Sequence, residues 1–145
     1  MLKITIDQMF DYLSDLFESV AWSDSTLTEI GNSLIRQIAF ECNPETIRMI
    51  QKNKTYDSAK VIEAQIHALN TLVTCHNVAR YLNFAPLLPH IRDLDRECTD
   101  TVLYILACTG DRQYAAVIRQ EAERFPDLPQ EEYIEELRAQ SCGKD

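Results

Sequence analysis

The chain has 145 residues, with 23 acidic side chains against 14 Lys and Arg and a formal charge of −9 at neutral pH. This length predicts one domain, residues 1–145, that can bury a core without a metal or a disulfide. The acidic balance opposes direct binding to a nucleic-acid backbone, which needs clustered Lys and Arg. Only three Gly and five Pro argue against a β-sandwich or barrel with many tight turns.

Targeting segments and cofactor motifs are missing from the sequence. No apolar run approaches the roughly 20 residues of a membrane span, and the N-terminal residues lack the layout of a signal peptide. The five cysteines are an odd number without a C-x-x-C pair, which is typical of reduced thiols and not of a zinc site. We therefore expect a cytoplasmic protein with no cofactor, no bound metal and no membrane contact.

Apolar residues recur at steps of three and four along the chain, which predicts amphipathic helices. Thr5 and Gln8 can form a capping box before the first helix, and Thr26 and Glu29 before the second. The first helix carries a clean apolar stripe on one side: Ile6, Met9, Phe10, Leu13, Leu16, Phe17 and Val20.

Cap residues divide the middle of the chain. Asn43 followed by Pro44 predicts the start of a third helix, with Ile47, Met49 and Ile50 as its apolar residues. Ser58 is expected to cap a fourth helix that runs to about Thr74. Asn77 is expected to open a short fifth helix, and Pro86 and Pro89 then predict a connector over residues 85–92.

Three further helices are predicted in the C-terminal third. Asp93 or Asp95 should begin the sixth helix, which ends near Gly110, a residue suited to a left-handed C-terminal position. Asp111 should cap the seventh, which Pro126 stops. Pro129 should start the eighth, with Tyr133, Ile134 and Leu137 facing inward. The pattern gives about eight helices and no strand.

The cap residues also indicate an internal repeat, because Asn43, Asn77 and Asp111 stand 34 residues apart. Apolar residues follow the same step in the series Ile35, Leu69, Leu103 and Ile38, Leu72, Leu106. A period near 34 residues with two helices per unit is typical of stacked helical hairpins. We therefore expect an all-α fold, a right-handed stack of helical hairpins. The alternative is chance, since any all-helical chain shows some self-match.

No catalytic motif is present: the sequence has no H-E-x-x-H, P-loop, G-x-G-x-x-G or G-x-S-x-G. Cys75 and His76 are adjacent on a predicted helix end, so their side chains point about 100° apart and do not form a nucleophile and its base. We expect a protein that is not an enzyme. An enzyme with a new kind of site would need a cleft of perturbed titratable groups.

The segment VLYILACTGDRQYAAVIRQEAE, residues 102–123, resembles HEAT-like repeats. In that pattern a helix ends in a small residue and Gly-Asp, and the next helix begins with a short polar stretch and an apolar pair. Ala107, Gly110, Asp111, Ala115 and Ile118 match it. The resemblance implies a HEAT-like α-solenoid. The units that begin at Asn43 and Asn77 lack the Gly.

Small, acidic, all-helical chains with HEAT-like units also resemble bacterial toxin-immunity proteins. The resemblance implies that the chain binds and neutralises a cognate toxin domain, a basic protein of nuclease type, as a monomer or as a heterodimer with the toxin. The acidic residues at two helix starts and three tyrosine anchors would form the contact: Asp93, Asp95, Glu97, Tyr104, Tyr114, Glu131, Glu132, Tyr133, Glu135 and Glu136. For each residue alone, the other interpretation is solvent-facing charge, helix capping or core packing.

A second interpretation comes from a different class of protein. A non-catalytic helical-repeat adaptor or scaffold would hold a peptide or a partner helix in an apolar groove. An immunity protein should bind one basic partner tightly and in a salt-sensitive way, whereas an adaptor should bind with modest affinity and little dependence on salt.

Overall fold

A computed structural model of the chain describes residues 4–43, 45 and 57–142. These residues form six α-helices and three 3-10 helices, with no strand among them, so the predicted all-α fold is confirmed. The α-helices are α1 (Ile6–Ser19), α2 (Asp24–Cys42), α3 (Ser58–Cys75), α4 (Arg96–Cys108), α5 (Ala115–Ala122) and α6 (Gln130–Cys142). The 3-10 helices are Ala79–Tyr81, Leu88–Asp93 and Arg112–Tyr114.

The first helix begins as the sequence predicts, with a complete capping box. The Thr5 hydroxyl accepts from the Gln8 amide at 3.3 Å, and the Gln8 side-chain carbonyl accepts from the Thr5 amide at 3.0 Å. The predicted start of α2 is wrong by one turn, because Ser23 and not Thr26 is the cap, and its hydroxyl accepts from the Thr26 amide at 3.2 Å. Both residue types cap well, so the sequence alone did not separate them.

Two other predicted caps are also corrected. Asp57, not Ser58, caps α3, and its carboxylate accepts from the Ala59 amide at 3.1 Å. Asn77 does not cap a helix: the next element is one 3-10 turn, Ala79–Tyr81, without a side-chain cap. The predicted helix after Asn43 lies outside the described residues.

The later boundaries agree better with the sequence. Asp95 caps α4, accepting from the Cys98 amide at 2.8 Å, and Gly110 follows this helix at φ 67°. Asp111 caps the 3-10 helix Arg112–Tyr114, which continues directly into α5. The expected connector is wrong in part, because Leu88–Asp93 forms a 3-10 helix with Pro89 in its first turn.

Helices α3 and α4 form the centre of the packing. Both α1 and α2 contact α3, α3 contacts α4, and α4 contacts α5 and α6, which also contact each other. The two apolar series of the 34-residue period, Ile35, Leu69, Leu103 and Ile38, Leu72, Leu106, are fully buried. Their burial is equally expected of any well-packed helical chain, and Asn77 is not a cap, so the repeat and its stacking stay a prediction.

Gly31 allows a loop to pack closely on α2. A Cβ atom at this position would lie 2.7 Å from Leu82 Cδ2, which follows the first 3-10 helix. Beside this contact the Asn83 amide donates to Asn32 Oδ1 at 2.8 Å. The two contacts hold the loop that connects α3 to α4 against α2.

Candidate functional site

An open groove lies between α3, α4 and α6, with a volume of about 490 Å³. We call it the acidic groove, because its lining in the described part of the chain contains three carboxylates and no Lys, Arg or His. Its lining residues are Asn70, Thr74, Asp100, Thr101, Tyr104, Pro129, Glu132, Tyr133 and Glu136. The structure therefore brings together four of the residues predicted for partner binding, namely Tyr104, Glu132, Tyr133 and Glu136.

Helical spacing explains why each wall presents more than one side chain. Residues four apart lie on the same face of a helix, one turn apart. Asp100 and Tyr104 stand in this relation on α4, and Glu132 and Glu136 do so on α6. Because α4 packs on both α3 and α6, these two pairs face one groove.

Tyr133 lies in the floor of the acidic groove and contacts one of its three carboxylates. Its side chain is 3% exposed, and its hydroxyl donates to Asp100 Oδ1. Burial raises the pKa of Tyr133, and the hydrogen bond to Asp100 and the charge of that carboxylate raise it further. Tyr133 is therefore a neutral hydrogen-bond donor at physiological pH, and it holds the Asp100 carboxylate in place.

The two threonine hydroxyls of the groove donate within their own helices. Thr74 Oγ1 donates to the backbone carbonyl of Asn70 at 2.9 Å, and Thr101 Oγ1 donates to that of Glu97 at 3.1 Å. In contrast, Asn70 Oδ1 is buried and accepts no hydrogen bond. The two threonine hydroxyls are therefore not free donors, and the three carboxylates supply acceptors to the groove.

Tyr104 is the exposed aromatic residue of the acidic groove, with 41% of its surface accessible. The neighbouring Cys108 raises the pKa of Tyr104, with burial as the next cause. The ring is therefore uncharged, and its face can pack on the apolar stem or the charged end of a Lys or Arg side chain.

The other predicted acidic residues lie elsewhere. Asp95 is used as the α4 cap, Asp93 is exposed 3.8 Å from His90 Nδ1, and Glu97 accepts from Arg96 Nη1 at 2.6 Å. Arg96 Nε also donates to Asp127 Oδ2 at 2.6 Å, and this hydrogen bond raises the pKa of the guanidinium. Asp95 and Glu97 are used locally, Asp93 is exposed, and none of the three lines the groove.

Two more acidic residues and one tyrosine complete the predicted set. Glu131 pairs with Arg119 at 3.7 Å, and Glu135 is exposed outside the groove. Tyr114 is 8% exposed and packs edge-on against Phe84, with ring centroids 6.1 Å apart. Tyr114 therefore belongs to the core, where it offers little surface to a partner.

Asp100 and Asn70 were not predicted as site residues. In the sequence Asp100 is one of several acids near a helix start, where the helix dipole is enough to explain their presence. The i, i+4 relation of Asp100 and Tyr104 was the available signal. No sequence signal places Asn70 opposite them, because that proximity depends on how α3 packs against α4.

A second surface is apolar and lies on α1. The apolar stripe of this helix is only partly buried: Phe17 is buried, whereas Ile6, Met9 and Val20 are exposed. Ile6 and Met9, with Ile4 and Tyr12, surround an open cavity of about 650 Å³ above the half-buried Phe10, Leu13 and Leu16. We call the set Ile4, Ile6, Met9, Tyr12, Leu13 and Leu16 the α1 apolar face.

The described residues offer neither a metal site nor a membrane span. No group of three His, Cys, Asp or Glu among them is placed to hold a metal ion, the three acids of the groove included. None of the helices described is long and apolar enough to cross a bilayer. Comparisons with protein-family models, with curated proteins and with solved structures give no match.

Proposed function

We propose that this protein is a non-catalytic binding protein whose acidic groove receives a basic side chain of a protein partner. The observation that carries the proposal is the chemistry of the groove: Asp100, Glu132 and Glu136 face it together with the exposed ring of Tyr104, and none of the described Lys, Arg and His residues lines it. A Lys or Arg side chain supplies the donors that this set of acceptors needs.

The same chemistry favours a partner over a small anion or a nucleic acid. The groove repels phosphates, and the chain carries a net charge of −9. Long-range attraction speeds the encounter with a basic protein and makes binding sensitive to salt. The partner class that we propose is a basic bacterial toxin domain of nuclease type, which would make the chain its immunity protein, and the frame is a HEAT-like stack of helical hairpins.

Salt-dependent capture and charge-neutral variants test this proposal. The chain would be used to pull down the product of the adjacent open reading frame, and the Kd of the purified pair would be measured by calorimetry at low and high salt. We expect Glu132→Gln with Glu136→Gln to weaken binding about tenfold or more, because two carboxylates lose their charge at the contact. The toxin activity that the wild-type chain suppresses should return with this variant.

The matched control is Glu123→Gln with Glu135→Gln. Both residues are exposed and lie outside the acidic groove, and their substitution removes the same total charge. Tyr104→Ala is a further variant of the acidic groove. Its control is Tyr81→Ala, because Tyr81 is exposed elsewhere on the surface. Equal losses in the groove and control variants, or binding that is indifferent to salt, would overturn the acidic groove as the contact.

The α1 apolar face favours a second candidate function, an adaptor that binds an amphipathic helix of a partner. Ile6, Met9, Leu13 and Leu16 recur at steps of three and four, which is the spacing that matches a second helix laid alongside. The acids of this helix, Asp7, Asp11, Asp15 and Glu18, lie on the other side of its circumference, so they do not hinder such contact.

Met9→Lys with Tyr12→Lys separates the two functions. If the chain is an adaptor, this variant abolishes capture of the partner helix at both salt concentrations. The variant Glu132→Gln with Glu136→Gln then has no effect on capture. Sedimentation of the isolated chain at rising concentration checks for a second copy on this face. Self-association that the Met9 and Tyr12 variant removes would contradict the adaptor function.

A further inference from the structure

A cationic groove lies on the other side of α6 from the acidic groove. It has a volume of about 450 Å³ and is lined by Arg112, Ala115, Arg119, Ile134, Leu137, Arg138 and Ser141. We call it the arginine groove. Three of the chain's 14 basic residues meet there, although the protein as a whole is acidic.

The arrangement follows from helical spacing on two packed elements. Arg112, Ala115 and Arg119 are three and four residues apart along the 3-10 helix and α5, so the two guanidiniums stand roughly two turns apart with Ala115 between them. On α6, Ile134, Leu137, Arg138 and Ser141 follow the same spacing. The floor is therefore apolar and the rim carries the charge.

The charge of this rim is only partly neutralised. Arg119 lies 3.7 Å from Glu131, with 43% of the Arg side chain exposed. Among the residues described, Arg112 and Arg138 form no ion pair, and both are exposed. Ile134 and Leu137, in contrast, are 3% and 2% exposed, so residues of the core form the floor.

We propose that the arginine groove binds an acidic protein segment in which carboxylate side chains flank one apolar side chain. The guanidiniums are suited to carboxylates, which they bind with two parallel hydrogen bonds. The apolar floor accepts the residue between them, and a polynucleotide backbone would make no use of it. The net charge of −9 repels a long polyanion more strongly than a short acidic segment, because a long polyanion also lies close to the acidic surface around the groove. This inference goes beyond the proposed function and uses different residues.

Fluorescence anisotropy with labelled peptides tests the inference. The probe has a Leu between two pairs of Glu; one companion replaces the Leu by Ser, and another replaces the Glu residues by Lys. We expect only the Glu–Leu peptide to bind well, with Arg112→Gln plus Arg138→Gln weakening it about tenfold or more. Both arginines are exposed, so circular dichroism should show an unchanged fold.

The matched control is Arg36→Gln with Arg92→Gln, which removes the same charge from exposed positions outside the groove. We expect the control to bind within about twofold of the wild type. Three results would overturn the inference: equal losses in both double variants, equal binding of the Ser peptide, or tighter binding of a short oligothymidylate than of the Glu–Leu peptide. None of them bears on the acidic groove, whose variants and partner are different.

Discussion

Arg124 donates from Nη2 to the backbone carbonyl oxygen of Ile91 at 2.8 Å. The same guanidinium donates to Thr99 Oγ1 at 3.0 Å, to the Arg92 carbonyl at 3.1 Å and, through Nε, to Glu121 Oε2 at 2.8 Å. One side chain just after α5 thus joins the end of the second 3-10 helix to α4. It also compensates the charge of Glu121, whose side chain is 6% exposed.

We expect Arg124→Ala to lower the free energy of unfolding by about 2–4 kcal/mol, because it leaves the buried Glu121 carboxylate and several carbonyls without their donor. Arg124→Lys should recover only part of the loss, since an ammonium cannot reproduce the planar fork. Urea unfolding followed by circular dichroism measures both variants.

Arg119→Ala, within α5, is the matched control, because Arg119 pairs with Glu131 at 3.7 Å and both side chains are exposed. Arg119→Ala should lower the free energy of unfolding by less than about 1 kcal/mol. If Arg124→Ala lowered the free energy of unfolding no more than Arg119→Ala does, the stabilising role that we assign to the Arg124 hydrogen bonds would be wrong.

Gly110 and Gly31 should respond differently to the same substitution. Gly110 has φ 67°, and a Cβ there would lie 2.8 Å from the backbone carbonyl carbon of Gln140 in α6. Gly110→Ala should therefore destabilise the fold by more than about 2 kcal/mol, since neither the left-handed backbone nor the clash with main chain can relax easily.

Gly31→Ala serves as the comparison. Its added Cβ would meet the end of the Leu82 side chain, which can rotate, and Ala is favoured over Gly inside a helix by about 1 kcal/mol. We expect a change within about 1 kcal/mol of zero, measured by the same urea titration. A larger loss for Gly31→Ala than for Gly110→Ala would contradict both assignments.

The features that were predictable from sequence are local. The Thr5 and Gln8 capping box, the αL residue Gly110 and the inward face of α6 depend only on neighbours within one helical turn. The sequence also carried the i, i+4 pair Glu132 and Glu136, which forms one wall of the acidic groove.

The remaining features depend on tertiary packing. Tyr104 and Tyr114 look alike in the sequence, yet only Tyr104 is exposed, because Tyr114 packs against Phe84. The sequence shows the one-sided apolar stripe of α1, but α3 covers only part of it and leaves Met9 exposed. Periodicity gives the phase of an apolar face and not the width that its neighbour will cover.

The cysteines should react with alkylating agents at very different rates. Cys75 is exposed, whereas Cys42 and Cys98 are buried and Cys108 is half-buried. Burial is the first cause that raises the pKa of Cys42 and of Cys108 to about 11 and that of Cys98 to about 12. Because the thiolate is the nucleophile, these three thiols should react slowly at neutral pH.

Peptide mass spectrometry after timed iodoacetamide treatment scores each cysteine separately. We expect Cys75 to be modified first, at least about tenfold faster than Cys42, Cys98 or Cys108. In urea the four rates should converge, which controls for sequence effects. Fast modification of Cys98 in the folded chain would show that α4 opens more readily than its burial indicates.

The same thiols make stability fall at alkaline pH. Their pKa values are raised in the folded chain from the ordinary value of 9.0, so the folded state holds protons that the unfolded state releases first. This contribution is fully present below about pH 9 and is lost as the pH rises towards about 11. The urea midpoint should therefore decline steadily from about pH 8.5 to about pH 10.5.

Cys98→Ala should make that decline shallower than Cys75→Ala does, because Cys98 is buried and Cys75 is exposed. A midpoint that rises over this range, or equal slopes in the two variants, would contradict the protonated state that we assign to the buried thiols.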